Sequence, residues 1–256
     1  MKKLQLFEPE PFPADAKSID LNGVNESLRA SGGHLFGFGD EWSIMMWMRR
    51  KPGVPGTTAT GTPWIMSSGD ARSRIHMGAA GDFPSDPIRA RIYDTTGTLH
   101  KDFRWNSTTF PFDVWFQLIL IWNGAGAGTL SMYKDGSLVA ANVETINVTN
   151  RSMADTTRGI QIGGNGGVQP YFGFIHSMAV WNADVSSAAT EIYNGGVAST
   201  FNLSKATFNA NLQHWWRIGL DSSDIGKDSG IASNLIDVDS NSLNISASDV
   251  VDESPA

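Results

Sequence analysis

Residues 115–122 read WFQLILIW, and after a glycine-rich turn they are followed by LSMYKDGSLV at 130–139 and GIQIGGN at 159–165. A run of eight residues that is bounded by turns and rich in Trp and Ile predicts a β-strand buried on both faces. The pair Asp135-Gly136 supplies the positive φ angles of a tight two-residue turn, so residues 130–139 are expected to form a β-hairpin. This part of the chain therefore indicates a protein built from antiparallel strands.

Two further stretches alternate between the faces of a strand. In WSIMMWM at residues 42–48, the even-numbered positions share one face and Trp47 lies on the other. In YFGFIHSMAVW at residues 171–181, five side chains are expected to share one face: Phe172, Phe174, His176, Met178 and Val180. Residues 186–193 then predict a short helix, which ends at Asn194-Gly195-Gly196.

The composition restricts the class of protein. The chain has 256 residues, of which 41% are hydrophobic, a net charge of -7 and no cysteine. This length fits one large β-sandwich, and the lack of cysteine excludes disulfides and thiolate metal sites and fits assembly in the cytoplasm. An acidic chain without a basic stripe argues against nucleic acid binding. We accordingly interpret Arg49-Arg50-Lys51 as a solvated strand end. No segment approaches the roughly 20 apolar residues that span a membrane.

The motifs resemble those of one family, the laminin-G-like or concanavalin A-like jelly rolls. In that family a W-x-x-[LIV]-x-[LIV] strand precedes an L-x-[LM]-Y-[KV]-D-G hairpin and a [LI]-x-[LI]-G-G strand, as residues 115–164 do here. The segment from Gly173 to Tyr193 also resembles the family's closing strand and helix. The resemblance implies an all-β fold, an antiparallel two-sheet jelly-roll sandwich with one short helix.

The chain is expected to have three parts. Residues 1–16 are rich in proline and predict an extended N-terminal arm, and residues 17–211 form the laminin-G-like β-sandwich. Residues 212–256 form a C-terminal segment that completes or wraps the sandwich. Its residues LQHWWRIG and DSGIASN resemble the opening of a laminin-G-like domain displaced to the C-terminus. This segment is either a truncated second repeat or a circularly permuted first strand, and we favour permutation because a lone strand cannot bury Trp215 and Trp216.

Catalytic chemistry is not expected, although the resembling family includes glucanases. A retaining glycosidase needs two carboxylates about 5–5.5 Å apart, and none of the seven glutamates begins the E-x-D-x-x-E pattern of laminarinase-type enzymes. Asp237 and Asp239 have suitable spacing but lie in a polar tail, where turn residues are the better interpretation. The five histidines lack a metal-ligand partner at i+2 or i+4. We interpret His176 as a hydrogen-bonded core residue and expect no catalytic residues.

Calcium is the one small ligand that the sequence suggests. Many members of the resembling family bind one Ca²⁺ at the sandwich rim through Asp or Asn side chains and carbonyl oxygens, and calcium tolerates irregular loops. The nearest candidates here are Asp70, Asp82 and Asn165. Ordinary turn formation, which also favours Asp and Asn, is the alternative. No other cofactor is expected.

The nine tryptophans raise the question of sugar binding. Most of them fall at apolar strand positions, where core packing is expected: Trp42, Trp47, Trp115, Trp122, Trp181 and Trp215. Trp64 and Trp105 instead lie beside loops. We therefore predict these two as the residues that stack on glycans.

The C-terminal motif points to a biological context. The residues HWWRIGLD at 214–221, together with the lack of cysteine and of a signal-peptide pattern in residues 1–9, resemble laminin-G-like proteins of tailed bacteriophages. The resemblance implies a non-enzymatic virion structural protein, a capsid decoration or tail-associated subunit that adheres to glycans. It would be assembled in the host cytoplasm and lie on the virion surface in several copies or as a homo-oligomer. Its N- and C-terminal arms would contact other virion proteins, and its sandwich would contact host-surface or environmental glycans. The alternatives are a free bacterial carbohydrate-binding lectin module and, more distantly, a glucanase-like hydrolase.

Overall fold

A computed structural model describes the parts of the chain that carry most of the strands. The described residues are 17–29, 41–52, 64–66, 88–93, 99–105, 111–123, 129–140, 143–146, 160–163, 171–197, 202–218, 223–230 and 244–255. For residues 64–66, 88–93, 99–105, 143–146, 160, 161 and 205 the description covers the backbone.

The described residues form fourteen β-strands and one short α-helix. The strands are β1 (Ser18–Asn22), β2 (Leu28–Arg29), β3 (Trp42–Arg50), β4 (Trp64–Met66), β5 (Ile88–Tyr93), β6 (Leu99–Trp105), β7 (Trp115–Trp122), β8 (Leu130–Lys134), β9 (Ser137–Val139), β10 (Val143–Ile146), β11 (Ile160–Ile162), β12 (Phe172–Trp181), β13 (Leu212–Trp216) and β14 (Val250–Val251). The helix, α1, comprises Ala189–Tyr193. None of the helices in the described parts is long and apolar enough to cross a membrane.

The strands pair antiparallel in three sheets. The large sheet has the order β14-β1-β12-β3-β7-β8-β9, with β13 paired to β12 beside this path. Two smaller sheets have the orders β2-β11-β4 and β10-β6-β5. The expected all-β antiparallel sandwich with one short helix is confirmed.

The large sheet is buried on both faces. On its inner face, Ile44 of β3 and Leu118 of β7 belong to a core cluster that includes Leu28 of β2 and Ile162 of β11, so this face packs on a smaller sheet. On its outer face, residues of β3 and β7 pack with α1 and the segments around it: Met45, Trp47, Ile119 and Ile121 with Val185, Ile192, Leu203 and Leu212. The predicted two-sided burial of residues 115–122 is therefore confirmed for the centre of the strand.

The turn between β8 and β9 has the predicted geometry. Asp135 and Gly136 have φ angles of 50° and 74°, and Lys134 pairs with Ser137 across them. The Asp135 carboxylate also accepts a hydrogen bond of 2.9 Å from the backbone N–H of Gln117 in β7. The aspartate thus closes the hairpin and ties it to the neighbouring strand.

Strand β12 contains a bulge that the alternation pattern did not predict. The pairing with β3 shifts register between Ile175 and Ser177, which leaves His176 as the extra residue. A one-residue insertion moves all later side chains to the opposite face. Met178 therefore joins Ile175 in the inner core, whereas Phe174 lies on the outer face. The prediction that residues 172–180 present one continuous even-numbered face is wrong.

The C-terminal segment pairs with the middle of the large sheet. One edge of β12 is shared by two strands, with β1 opposite residues 172–175 and β13 opposite residues 178–181. Strand β14 then pairs with β1. The division of the chain at residues 16 and 211 and the permutation hypothesis stay predictions, and residues 1–16 lie outside the described parts.

Candidate functional site

A row of side chains crosses the outer face of the large sheet beyond the region that α1 covers. The region of the sheet that α1 covers ends at Trp47, on which Tyr193, the last residue of the helix, stacks with 5.6 Å between ring centroids. Beyond this contact, Trp115 pairs with Arg49 and Arg49 with Phe174 in consecutive strands. Phe174 in turn pairs with Asp20 of β1. Because directly paired residues share a face, these four side chains form one line across β7, β3, β12 and β1, here called the outer-face row.

Trp115 is the aromatic centre of the row. Its ring lies 6.2 Å from the Phe174 ring at an interplanar angle of 48° and 6.5 Å from the His176 ring at 82°. These are the tilted and edge-to-face arrangements that aromatic quadrupoles favour. The side chain is half-buried, so part of the indole meets solvent. The prediction that Trp115 packs in the core is wrong, whereas Trp42, Trp47, Trp181 and Trp215 are buried as predicted.

Two cations lie over the phenylalanine of the row. The Arg49 guanidinium carbon is 4.5 Å from the Phe174 ring centroid, and the Lys51 ammonium is 4.3 Å from it. Both distances are within the range of cation–π attraction, about 6 Å. Phe174 itself is 4% exposed. The interpretation of Arg49-Arg50-Lys51 as a solvated strand end is therefore wrong, since these cations pack on aromatic rings.

The two cations that lie over Phe174, Arg49 and Lys51, each form an ion pair with a carboxylate. Lys51 Nζ lies 2.5 Å from Asp20 Oδ1, and Arg49 Nη1 lies 2.5 Å from Glu253 Oε2 in the C-terminal tail. The row therefore alternates aromatic and charged groups with little net charge. Hydrogen-bond donors and acceptors stand beside each ring.

His176, the bulge residue, borders the row as a neutral imidazole. Its Nδ1 lies 2.7 Å from the carbonyl oxygen of Lys17. The pKa of His176 is lowered to about 4, mainly by burial; the hydrogen bond to Lys17 raises it and the charge of Arg217 lowers it, both by less than burial does. At neutral pH, Nδ1 therefore carries the proton and donates to Lys17. The predicted hydrogen bond of His176 is confirmed, although the residue lies beside the outer-face row and not among the inner core residues.

Two exposed apolar residues precede Trp115 in the chain. Phe112 is 45% exposed and Val114 is 50% exposed, in the turn that leads into β7. The Arg50 guanidinium carbon lies 4.4 Å from the Phe112 ring centroid. The backbone N–H of Asp113 donates to the carbonyl oxygen of Arg50 at 2.7 Å, which fixes this turn against β3. Arg50 alternates with Arg49 along β3, so Phe112 packs on the side of the strand opposite to the outer-face row.

A second polar group, the pair His214–Asp228, is buried and structural. His214 Nδ1 lies 2.5 Å from Asp228 Oδ2, and both side chains are almost inaccessible. Asp228 Oδ1 accepts hydrogen bonds from the backbone N–H groups of Trp215 and Gly230 at 3.0 Å and 2.9 Å. A Cβ on Gly230 would lie 2.2 Å from the carbonyl oxygen of Gln213, which explains the glycine. The DSG motif thus anchors β13 to the segment that follows it.

The residues predicted from sequence as glycan or calcium sites are not tested. Trp64 begins β4 and Trp105 ends β6, and these strands lie in different three-stranded sheets. Asp70, Asp82 and Asn165 lie outside the described residues. Within the described parts of the chain, no group of three or more His, Cys, Asp or Glu side chains could hold a metal ion.

The sequence contains a signal for the outer-face row. Three consecutive cations, Arg49 to Lys51, stand at the end of the buried strand β3, and Phe172 and Phe174 open the later strand β12. In a half-covered sheet, long cations near apolar rings pack along them. The missing information was the pairing of β3 with β12.

The comparisons with known proteins agree with this architecture. A laminin G family model, described as the concanavalin A-like lectin/glucanases superfamily, matches residues 22–192. A candidate carbohydrate binding protein from Bacteroides ovatus superposes with a TM-score of 0.50 at 13% identity, over 90% of this chain and 60% of that one. The receptor binding domain of botulinum neurotoxin mosaic serotype C/D also gives 0.50, at 12% identity, over 70% of this chain and 44% of that one.

This chain thus spans less than two thirds of the length of each of these two solved structures. At such identities the likeness shows the fold alone. A comparison with curated proteins gave no match.

Proposed function

The chain belongs to the concanavalin A-like lectin/glucanases superfamily, and on this premise we propose that it is a non-catalytic glycan-binding domain whose binding surface is the outer-face row. The observation that carries the proposal is the half-buried Trp115, whose direct cross-strand neighbour is the charged residue Arg49. The names of the two solved structures, one for carbohydrate binding and one for receptor binding, support a recognition role.

The chemistry of the row suits a sugar ring. A pyranose has an apolar face of C–H groups and a rim of hydroxyls, so it needs a flat aromatic surface with polar groups around its edge. Trp115 supplies the aromatic surface, and its cross-strand neighbour Arg49 supplies charged N–H donors beside it. A few polar groups placed around an apolar surface are typical of small-ligand sites. The sheet holds these groups in fixed register, which limits the entropy lost on binding.

The carboxylates of the row support a binding role over a hydrolytic one. Glycoside hydrolysis uses one carboxyl group as acid and another as nucleophile or base. Here Asp20 is held by Lys51 and Glu253 by Arg49. Both acids form ion pairs with cations that lie over the Phe174 ring, and we propose no catalytic role for them.

A location on a phage particle is the finer part of the proposal, and the resemblance of residues 214–221 supports it. In this location the sandwich presents its outer face to glycans while the arms contact other virion proteins. Immunogold labelling of purified particles tests it. Label on capsids or tails supports the virion location, whereas recovery of the chain only in the particle-free fraction indicates a separate lectin.

A glycan array tests the binding function directly. We expect the full chain to bind at least one oligosaccharide class and Trp115→Ala to weaken that binding by about tenfold, the loss of one aromatic contact. Leu138→Ala is the matched control, because Leu138 is an exposed apolar residue, 62% accessible, on the edge strand β9. Trp64→Ala and Trp105→Ala report on the sites predicted from sequence. Full binding by a folded Trp115→Ala protein, or no glycan binding by the parent chain, overturns the proposal.

A further inference from the structure

We infer that the glycans recognised by the outer-face row carry a carboxylate, and that the side chain of Glu253 occupies the position of this carboxylate in the unliganded protein. The inference rests on the proposed function, because it names the ligand class and the regulation of the same surface. It follows from the contacts of Arg49 and of the C-terminal tail.

A ligand that stacks on Trp115 would lie next to the charged side chain of Arg49. It is the direct cross-strand neighbour of both Trp115 and Phe174, and its guanidinium stacks on the Phe174 ring. Stacking on an aromatic ring fixes the orientation of the planar guanidinium, and its terminal N–H groups match the geometry of a carboxylate. In this protein a carboxylate is already bound there, that of Glu253 at 2.5 Å.

The bond to Glu253 leaves part of the guanidinium unused. The contact joins Nη1 of Arg49 to one carboxylate oxygen. The Nε of Arg49 is buried, so a ligand meets the two terminal nitrogens of the guanidinium. Arginine commonly binds a carboxylate through two parallel N–H groups, and at this end they belong to Nη1 and Nη2. A sugar carboxylate that is not tethered to the chain can accept from both, which gives it an advantage over Glu253.

The tail that carries Glu253 is held by contacts that break easily. Strand β14 pairs with β1 over two residues, and beyond it Asp252 makes an ion pair of 3.0 Å with Lys17 in which the aspartate side chain is 87% exposed. The Arg49–Glu253 pair is itself accessible, with side-chain exposures of 24% and 41%. Ion pairs of this exposure contribute little to stability. Displacement of Glu253 should therefore weaken ligand binding by only about two- to fivefold.

The test compares sugars that differ only in the carboxylate. The probes are oligosaccharides that end in galacturonate, glucuronate or N-acetylneuraminate, each arrayed beside its methyl ester, with affinities of the best pair measured by calorimetry. We expect the full chain to prefer the acid. Glu253→Gln should raise the affinity for the acid about two- to fivefold and leave the affinity for the ester unchanged. Asp252→Asn, which removes the neighbouring tail charge, is the matched control and should leave both affinities unchanged.

Arg49 provides the second arm of the test. Arg49→Gln should lower the affinity for the acid by at least about tenfold, the value of a charged hydrogen bond, and remove the preference over the ester. Should Arg49→Gln fail to fold, Arg49→Lys keeps the charge and removes the planar fork, and it should reduce the same preference.

The possible results separate the two proposals. Equal binding of acid and ester, or a Glu253→Gln protein that binds as the parent does, overturns the carboxylate inference while the glycan-binding function stands. No binding of any glycan by the parent chain and by Glu253→Gln overturns both.

Discussion

Replacement of Asp228 by alanine should cause a large loss of stability. Among the described residues, the carboxylate accepts hydrogen bonds from the His214 ring and from the backbone N–H groups of Trp215 and Gly230. The side chain is fully buried, and His214 is buried beside it. Removal of Asp228 leaves three polar groups in the interior without this acceptor, and water cannot replace it without opening the structure.

The size of the effect follows from these contacts. Each buried polar group that loses its hydrogen-bond acceptor costs about 1–3 kcal/mol, and three such groups in one cluster, which are not additive, give a loss of about 3–5 kcal/mol. For a domain of this size, 1 kcal/mol lowers Tm by about 2–4 °C. Asp228→Ala should therefore lower Tm by about 6–20 °C.

Chemical and thermal unfolding followed by circular dichroism measure this loss. Asp252→Ala serves as the control, because it removes an aspartate whose ion pair is exposed and should change the free energy of unfolding by less than about 1 kcal/mol. Similar stabilities for the two variants would refute the conclusion that Asp228 anchors β13 to the segment that follows it.

Two other predictions concern the bulge and the C-terminal segment. Burial lowers the pKa of His176 to about 4 in the folded protein, whereas the pKa in the unfolded chain is about 6.5. The folded state therefore disfavours protonation of His176. The free energy of unfolding should be unaffected by this group above about pH 6.5 and should decline by up to about 3 kcal/mol as the pH falls toward about 4. Urea unfolding across this range should show a flatter decline for His176→Asn, whose amide can still donate to Lys17, and an identical slope contradicts the assignment. Deletion of residues 212–256 should unfold the sandwich, because β13 and β14 pair with β12 and β1. A truncated chain with cooperative unfolding and native-like near-ultraviolet circular dichroism contradicts the expected role of this segment.

The features that could be predicted from sequence depend on local pattern. Two-sided burial of β7 follows from its apolar residues, and the turn at Asp135-Gly136 follows from the φ angles that these residues tolerate. The bulge at His176 could not be predicted from sequence. Apolar residues still alternate with others through residues 172–180, but the one inserted residue moves every side chain after it to the opposite face of the sheet.

The candidate site was hidden from sequence for a different reason. Its contacts join residues far apart in the chain, and Arg49 and Glu253 are separated by 204 positions. The alternation of β7 places Trp115 on the same face as Ile119 and Ile121, so it looked like a core residue. Trp115 is partly exposed because α1 covers the sheet only as far as Trp47. The sequence of β7 does not reveal how far the helix reaches.

The most direct test of the glycan-binding surface is an NMR titration of the tryptophan indole N–H signals. The full chain, labelled with ¹⁵N, is titrated with the best oligosaccharide from the array, and the signals are assigned by single Trp→Phe variants. The account predicts that the Trp115 signal shifts and saturates with the bound fraction. A stationary Trp115 signal while that of Trp64 or Trp105 moves would contradict it.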